Sequence, residues 1–240
     1  MPNPTAAMIV IGDEILSGRT RDSNMNYLAV QLNTVGIDLK EARMIADDHD
    51  TIVNTVNDLR KQVDYVCTSG GIGPTHDDIT ADCIAAAFGV SIDIRDDARE
   101  LLQAHYDRNG QELNTARLRM ARIPDGAELI ENPVSIAPGF HIENVYVMAG
   151  VPKVFQAMVA SVLPKLIGGN PLISESQMIN RGEGDIAQPL ASLAKEFDDL
   201  SIGSYPFNRQ GIYGTNIVIR GTDANRVGTA MQKLKAIFPE

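Results

Sequence analysis

The chain has 240 residues, 44% hydrophobic and 22% charged, a globular composition long enough for one large domain or a medium domain plus a small one. Its formal net charge of −10 argues against nucleic acid or an acidic membrane surface as partner, because both repel an acidic protein. No apolar run is long enough to span a bilayer, and Met1-Pro2-Asn3-Pro4-Thr5 lacks the basic and apolar segments of a signal peptide, so a cytoplasmic location is expected.

In chain order, residues 6–11 are a wholly apolar run ended by Gly12, as expected of a strand buried on both faces. Residues 24–35 carry Tyr27, Leu28, Gln31, Leu32 and Val35 on one helical stripe, stopped by Gly36. A strand is predicted over 37–45, a helix over 48–59 with Ile52, Val53, Val56 and Leu59 inward, and a strand over 65–68. Asp47 or Asp48 reads as an N-cap of that helix. The next helix is predicted to start with Thr80 as its cap, an Ile79–Ile84 staple and Gly89 as its stop. This alternation argues for a parallel sheet covered by helices.

Two further helices are predicted over 96–105 and 111–121, then a turn at Pro124-Asp125-Gly126 and an irregular loop between Asn132-Pro133 and Pro138-Gly139. A short strand over 145–148 and a helix from Gly150-Val151-Pro152 to about 163 complete the first domain. Gly168-Gly169-Asn170-Pro171 is the predicted boundary. Beyond it, strand 172–179, helix 186–197, strands 200–205 and 213–220 and helix 224–237 form a small α+β domain. Residues 205–209 read as a strand-exit turn. The only cysteines, Cys67 and Cys83, fall in apolar surroundings and are expected to be reduced, buried and inert.

The chemistry concentrates in Thr68-Ser69-Gly70-Gly71-Ile72-Gly73-Pro74-Thr75-His76-Asp77-Asp78-Ile79-Thr80. A glycine-rich turn between strand and helix offers free N–H groups and a positive dipole end to a phosphate. It is neither a Walker A loop, since no Gly-Lys-Ser/Thr follows, nor a dinucleotide fingerprint, since position 76 is His. Asp77 and Asp78 stand where phosphate loops carry a cation, which suggests that a metal bridges protein and phosphate. Gly12-Asp13-Glu14 and Ala46-Asp47-Asp48 follow two other strands. Parallel strands deliver their carboxyl ends to one sheet edge, so Asp13, Asp47 and Asp78 are expected to converge there, although Asp13 reads equally well as a turn residue. His76 reads either as a proton carrier or as a solvated loop residue, and Arg19 either as a phosphate clamp or as a surface arginine.

The run from Gly12 to Arg19 with Asp22-Ser23-Asn24, and the run from Ser69 to Thr80, resemble the molybdopterin-binding domain superfamily. Within it they are most similar to the N-terminal domain of the competence/damage-inducible protein A group. Asn132-Pro133-Val134, Ala137-Pro138-Gly139 and Gly150-Val151-Pro152 resemble later motifs of that group. The resemblance covers about residues 5–165 and implies a three-layer α/β sandwich with a mostly parallel sheet in domain 1–168, followed by the small α+β domain 171–240. It departs at Ser135-Ile136, where the group usually has Gly and a small or basic residue, and at Val154, where Glu is common.

The resemblance implies a small-molecule nucleotide or pterin as ligand and metal-dependent hydrolysis of an ADP-ribose-like or FAD-like pyrophosphate. The alternatives are a non-catalytic molybdopterin or nucleotide carrier and a molybdopterin adenylyltransferase. The divalent ion (Mg²⁺, Mn²⁺ or Co²⁺) is expected on Asp78, Asp47 and Asp13. The ligand is expected on Ser69, Gly70, Gly71, Gly73 and Thr75, with Asp13, Glu14, Asn24, Pro138 and Gly139. Asp78, Asp77 and His76 are the expected catalytic groups. Self-association is implied, and nicotinamide-nucleotide deamidation is not expected, since the chain stops at Glu240 without the group's terminal deamidase domain.

Overall fold

The computed structural model describes residues 2–209 and 211–239, which fall into two compact units, Met1–Gly169 and Asn170–Glu240. The first begins with β1 (Thr5–Ile11), α1 (Asp13–Leu16), α2 (Asn24–Thr34), β2 (Asp38–Ile45), α3 (His49–Leu59), β3 (Tyr65–Ser69) and α4 (Thr80–Phe88). It continues with β4 (Ile92–Ile94), α5 (Asp96–Arg108), α6 (Thr115–Leu118), β5 (Arg122–Pro124), β6 (Glu128–Ile130), β7 (Gly139–Ile142), β8 (Val145–Met148) and α7 (Pro152–Val162). Six strands form one sheet in the order β2-β1-β3-β8-β7-β6. The first four are mutually parallel, and β7 and β6 are added antiparallel.

The apolar run of β1 is explained by burial on both faces. Ala7, Ile9 and Ile11 join one core with Ile52, Val56 and Leu59 of α3 and Ile84 of α4. Ala6, Met8 and Val10 join a second core with Leu28 and Leu32 of α2 and Phe155, Met158 and Val159 of α7. Successive strand side chains point to opposite faces, so an alternating sequence would have left one helix layer without a surface to cover. The result is helices, sheet and helices in three layers. Burial pushes both the Cys67 and the Cys83 thiols up to about 12, which keeps them as inert thiols.

Asp48 caps α3, its carboxylate accepting from Thr51 N–H at 2.9 Å and from the Thr51 hydroxyl at 2.6 Å. Asp48→Ala is expected to lower the urea midpoint, because it removes both Thr51 bonds at the cap. Gly89 ends α4 in the left-handed conformation, φ 67°, as a glycine stop does. Thr80, in contrast, is not the cap of α4. It is the first helical residue, the cap position is Ile79, and no side chain bonds there. The helix read over 111–121 is also corrected. Residues 111–114 are irregular, α6 is a single turn, and Arg119–Ala121 is a 3-10 turn. Strands β4 to β7 fall where no strand is read.

The second unit has β9 (Ile173–Ile179), α8 (Glu183–Glu196), β10 (Ser201–Arg209), β11 (Ile212–Gly221) and α9 (Ala224–Ile237). Its antiparallel sheet runs β10-β11-β9. Ile217 and Ile219 of the central strand pack with Ile186, Leu193, Val227 and Leu234 of the helices. Residues 205–209 are strand rather than an exit turn, with Tyr205 opposite Asn216 and Pro206 opposite Thr215. Proline is tolerated there because β10 is an edge strand.

Candidate functional site

Register alone brings four chain segments together. Ile11 lies opposite Ile45, Val10 opposite Ser69, and Ser69 opposite Met148. The segments that leave these ends, 12–14, 46–48, 70–78 and 149–152, therefore meet at one edge of the sheet, where open α/β sheets bind ligands.

The glycine turn is pinned on both sides. Gly70 N–H donates to Met148 O at 3.1 Å, and Thr80 N–H donates to Gly71 O at 2.9 Å. The Thr80 hydroxyl donates to Gly70 O at 3.0 Å, so this buried side chain ties the loop instead of capping the helix. Gly70 and Gly71 have φ of 114° and 70°, a region closed to most side chains. Asp78 shapes the other half of the turn. Its Oδ2 accepts from Thr75 N–H at 2.8 Å and from the Thr75 hydroxyl at 2.5 Å. Asn24 is buried and donates through Nδ2 to Ser69 Oγ and to Gly150 O, each at 2.8 Å. Asn24 and Ser69 thus join the glycine turn to the loop before α7.

These segments enclose a cavity of about 560 Å³, within the usual range for a small-molecule site. Its walls include Gly70, Gly71 and Gly73, the carboxylates of Glu14, Asp47, Asp77 and Asp78, and Arg19. Asp47 stands out electrostatically. Burial, reinforced by Asp13, Glu14 and Asp77 nearby, holds its carboxyl above the ordinary carboxylate range, although the Asp13 N–H bond opposes this. That bond, from Asp13 N–H to Asp47 Oδ2, is 3.0 Å long.

The remaining residues of interest are placed as follows. Asp13 does not line the cavity, nor do Thr75 and His76. The His76 side chain is 99% exposed, a solvated loop residue. Pro138 lines a smaller neighbouring cavity. Gly139 lies in β7, where a Cβ would come 2.5 Å from Val147 O, so close strand packing accounts for it. Among the described residues, no three His, Cys, Asp or Glu side chains are grouped to hold a metal. Asp13, Asp47 and Asp78 therefore do not form a three-carboxylate set.

Three features of the site add what the sequence alone does not give. Asn132 organises the loop opposite the glycine turn, donating to Ser135 Oγ at 2.6 Å and Ala137 O at 2.8 Å. Ile136 in that loop has φ 67°, a strained conformation for a β-branched residue. Arg119 reaches the turn from far along the chain, donating through Nη2 to Asp78 O at 3.3 Å.

Comparison with known proteins follows the division into two units. Residues 7–168 match the family model of a probable molybdopterin binding domain, and residues 171–240 match that of the FAD synthase middle domain. A protein of Archaeoglobus fulgidus is 34% identical over 96% of this chain and 96% of its own length. A probable FAD synthase of Caenorhabditis elegans is 30% identical over 98% of this chain, which spans 50% of that protein. Among solved structures, the protein CinA of unknown function from Thermoplasma acidophilum is 33% identical with a TM-score of 0.62, covering 68% of this chain and 97% of that one. The glycine turn, the carboxylate-lined cavity and the sheet that positions them all lie within the matched residues 7–168. The chain belongs to the molybdopterin-binding domain family.

Proposed function

We propose that the cavity beside Gly70–Asp78 binds the diphosphate of a nucleotide and hydrolyses it with the help of a divalent ion. The observation that carries this reading is the pairing, in one cavity, of a phosphate-type glycine turn with four carboxylates. Carboxylates alone repel a diphosphate, and a cation between them removes the conflict. The donors fit that role as hard oxygens lining one cavity, and Mg²⁺ needs only one or two carboxylates when waters and substrate phosphates complete its shell. Asp77 and Asp78 would hold the ion. When bound, it offsets the charge of the diphosphate.

The chain's own groups do the rest. The N–H groups of the turn that are not bonded within it face the phosphate oxygens and stabilise the charge that builds on them during attack. Asp47 takes the proton of the attacking water, a task suited to a carboxyl held above its ordinary range. Asp13 acts through its N–H, which fixes the Asp47 carboxylate. Water adds to one phosphorus, the bridging P–O bond breaks, and two phosphomonoesters leave. From ADP-ribose these are AMP and ribose 5-phosphate. The similarity to a probable FAD synthase supports FAD as the second substrate to try, with AMP and FMN as products.

The test is AMP release from ADP-ribose and from FAD with Mg²⁺, Mn²⁺ or Co²⁺, comparing wild type with Asp78→Ala and Asp78→Asn. Asp78→Ala is expected to lose turnover by about 100-fold, since it removes both Thr75 bonds and an ion ligand. Asp78→Asn keeps an acceptor for Thr75 and is expected to retain more of the fold of the turn than of the activity. Tight molybdopterin binding without AMP release would favour a carrier instead, and ATP-dependent adenylylation a transferase.

A further inference from the structure

The glycine turn has no lysine, but the fold brings it a guanidinium. Arg119 lies in the 3-10 turn Arg119–Ala121, 41 residues beyond Asp78 in sequence, and its Nη2 reaches Asp78 O. Its Nε is buried and has no hydrogen-bond partner. A buried donor left unpaired is costly and calls for an acceptor. The neighbouring cation, Arg122, is already neutralised. Its two terminal nitrogens bond both oxygens of Asp82 at 2.6 and 2.7 Å. Arg119 has no carboxylate partner among the described residues.

Arg119 also lines a small cavity of about 20 Å³, whose other walls include Gly71, Ile72, Gly73 and Asp78. That volume holds one oxygen-sized atom. We propose that Arg119 is the phosphate-binding cation of this site, its Nε donating to one non-bridging oxygen of the phosphate seated against Gly71–Gly73. The inference rests on the reading above that this turn holds a diphosphate. It accounts for the orphaned Nε and for the missing lysine together. It also assigns different roles to two neighbouring arginines: Arg122 stabilises the fold through Asp82, and Arg119 waits for substrate.

The test is calorimetric titration of inorganic pyrophosphate and of ADP-ribose, with Mg²⁺ present, into the full chain, as wild type, Arg119→Met, Arg119→Lys and Arg99→Met. Arg119→Met is expected to weaken both ligands by about 10- to 100-fold, the worth of a charge-assisted hydrogen bond. Arg119→Lys is expected to recover part of that loss, because an ammonium restores the charge but not the geometry. Arg99→Met removes the same charge from an exposed arginine ion-paired with Asp96 and is expected to leave affinity unchanged. Wild-type affinity in Arg119→Met would overturn the inference while leaving the diphosphate site standing. An equal loss in Arg99→Met would also overturn it, by reducing the effect to net charge. Failure of wild type to bind either ligand would remove the diphosphate reading itself, and the role of Arg119 with it. Arg119 makes a single long hydrogen bond, so the thermal midpoint of Arg119→Met is expected to stay near that of wild type, and Arg119→Lys retains the charge if it does not.

Discussion

Asp47→Asn is expected to lower the proposed diphosphate turnover by about 100-fold or more and to leave the chain at least as stable as wild type at neutral pH. The loss follows from the role proposed for Asp47 as proton acceptor, since general-base groups contribute about 10²- to 10⁴-fold. The stability half follows from linkage. The folded Asp47 carboxyl binds its proton more tightly than the unfolded one, whose ordinary value is 3.8. Its contribution is therefore fully present in acid, below the unfolded value, and is lost as pH rises through the raised folded value. At neutral pH the ionised Asp47 is the costly form, and a neutral amide removes that cost while its carbonyl oxygen still accepts from Asp13 N–H. A higher urea midpoint at neutral pH is expected, modest because the carboxyl is only partly buried. Urea unfolding at neutral and acid pH checks it: the advantage of the variant should shrink as pH falls toward the unfolded value.

Gly70→Ala is expected to destabilise the large unit by about 3 kcal/mol or more, among the larger effects of a single substitution. Two causes add. At φ 114° the backbone is closed to a residue with a Cβ. The new Cβ would also come 2.2 Å from Ile11 O. That oxygen belongs to the central strand β1, which is held by neighbours on both sides, so it has little freedom to retreat. Gly71→Ala makes a useful contrast. Its Cβ would meet Thr80 Oγ1 at 2.1 Å, and a side-chain hydroxyl can rotate away at the price of its bond to Gly70 O. Urea midpoints should rank wild type above Gly71→Ala, and Gly71→Ala above Gly70→Ala. The reverse order would show that the clash with Ile11 O relaxes.

The parts of the fold that are legible in sequence are those where one local rule acts alone. The unbroken apolar run of β1 announces burial on both faces, the stripes of α2 and α3 announce their inner sides, and Gly89 announces a left-handed stop. Strands β4 to β7 are only three or four residues long, too short for an alternating pattern to declare itself. Thr80 shows the limit of local rules. A threonine before an apolar helix looks like a cap, but Thr80 is already the first helical residue and its hydroxyl donates back to Gly70 O. Pro206 likewise looks like a chain exit until its edge position is known.

The candidate site divides the same way. The glycine turn and the acids after β1 and β2 can be found from sequence because parallel strands deliver their ends to one edge. Which acid faces the cavity cannot. Asp47 and Asp13 are both at strand ends, yet one lines the cavity and the other supplies only its N–H. Arg119 is invisible to any local pattern, because its proximity to the turn depends on the path of the chain from α5 through α6.

The most direct measurement is AMP formation from ADP-ribose by the purified chain, with a divalent ion and again with a chelator in excess, each as wild type and Asp47→Asn. The expected result is ion-dependent AMP release by wild type, abolished by the chelator and lowered about 100-fold by the substitution. AMP release that survives the chelator, that is unchanged in Asp47→Asn, or that is absent with every ion would contradict hydrolysis at the Gly70–Asp78 turn.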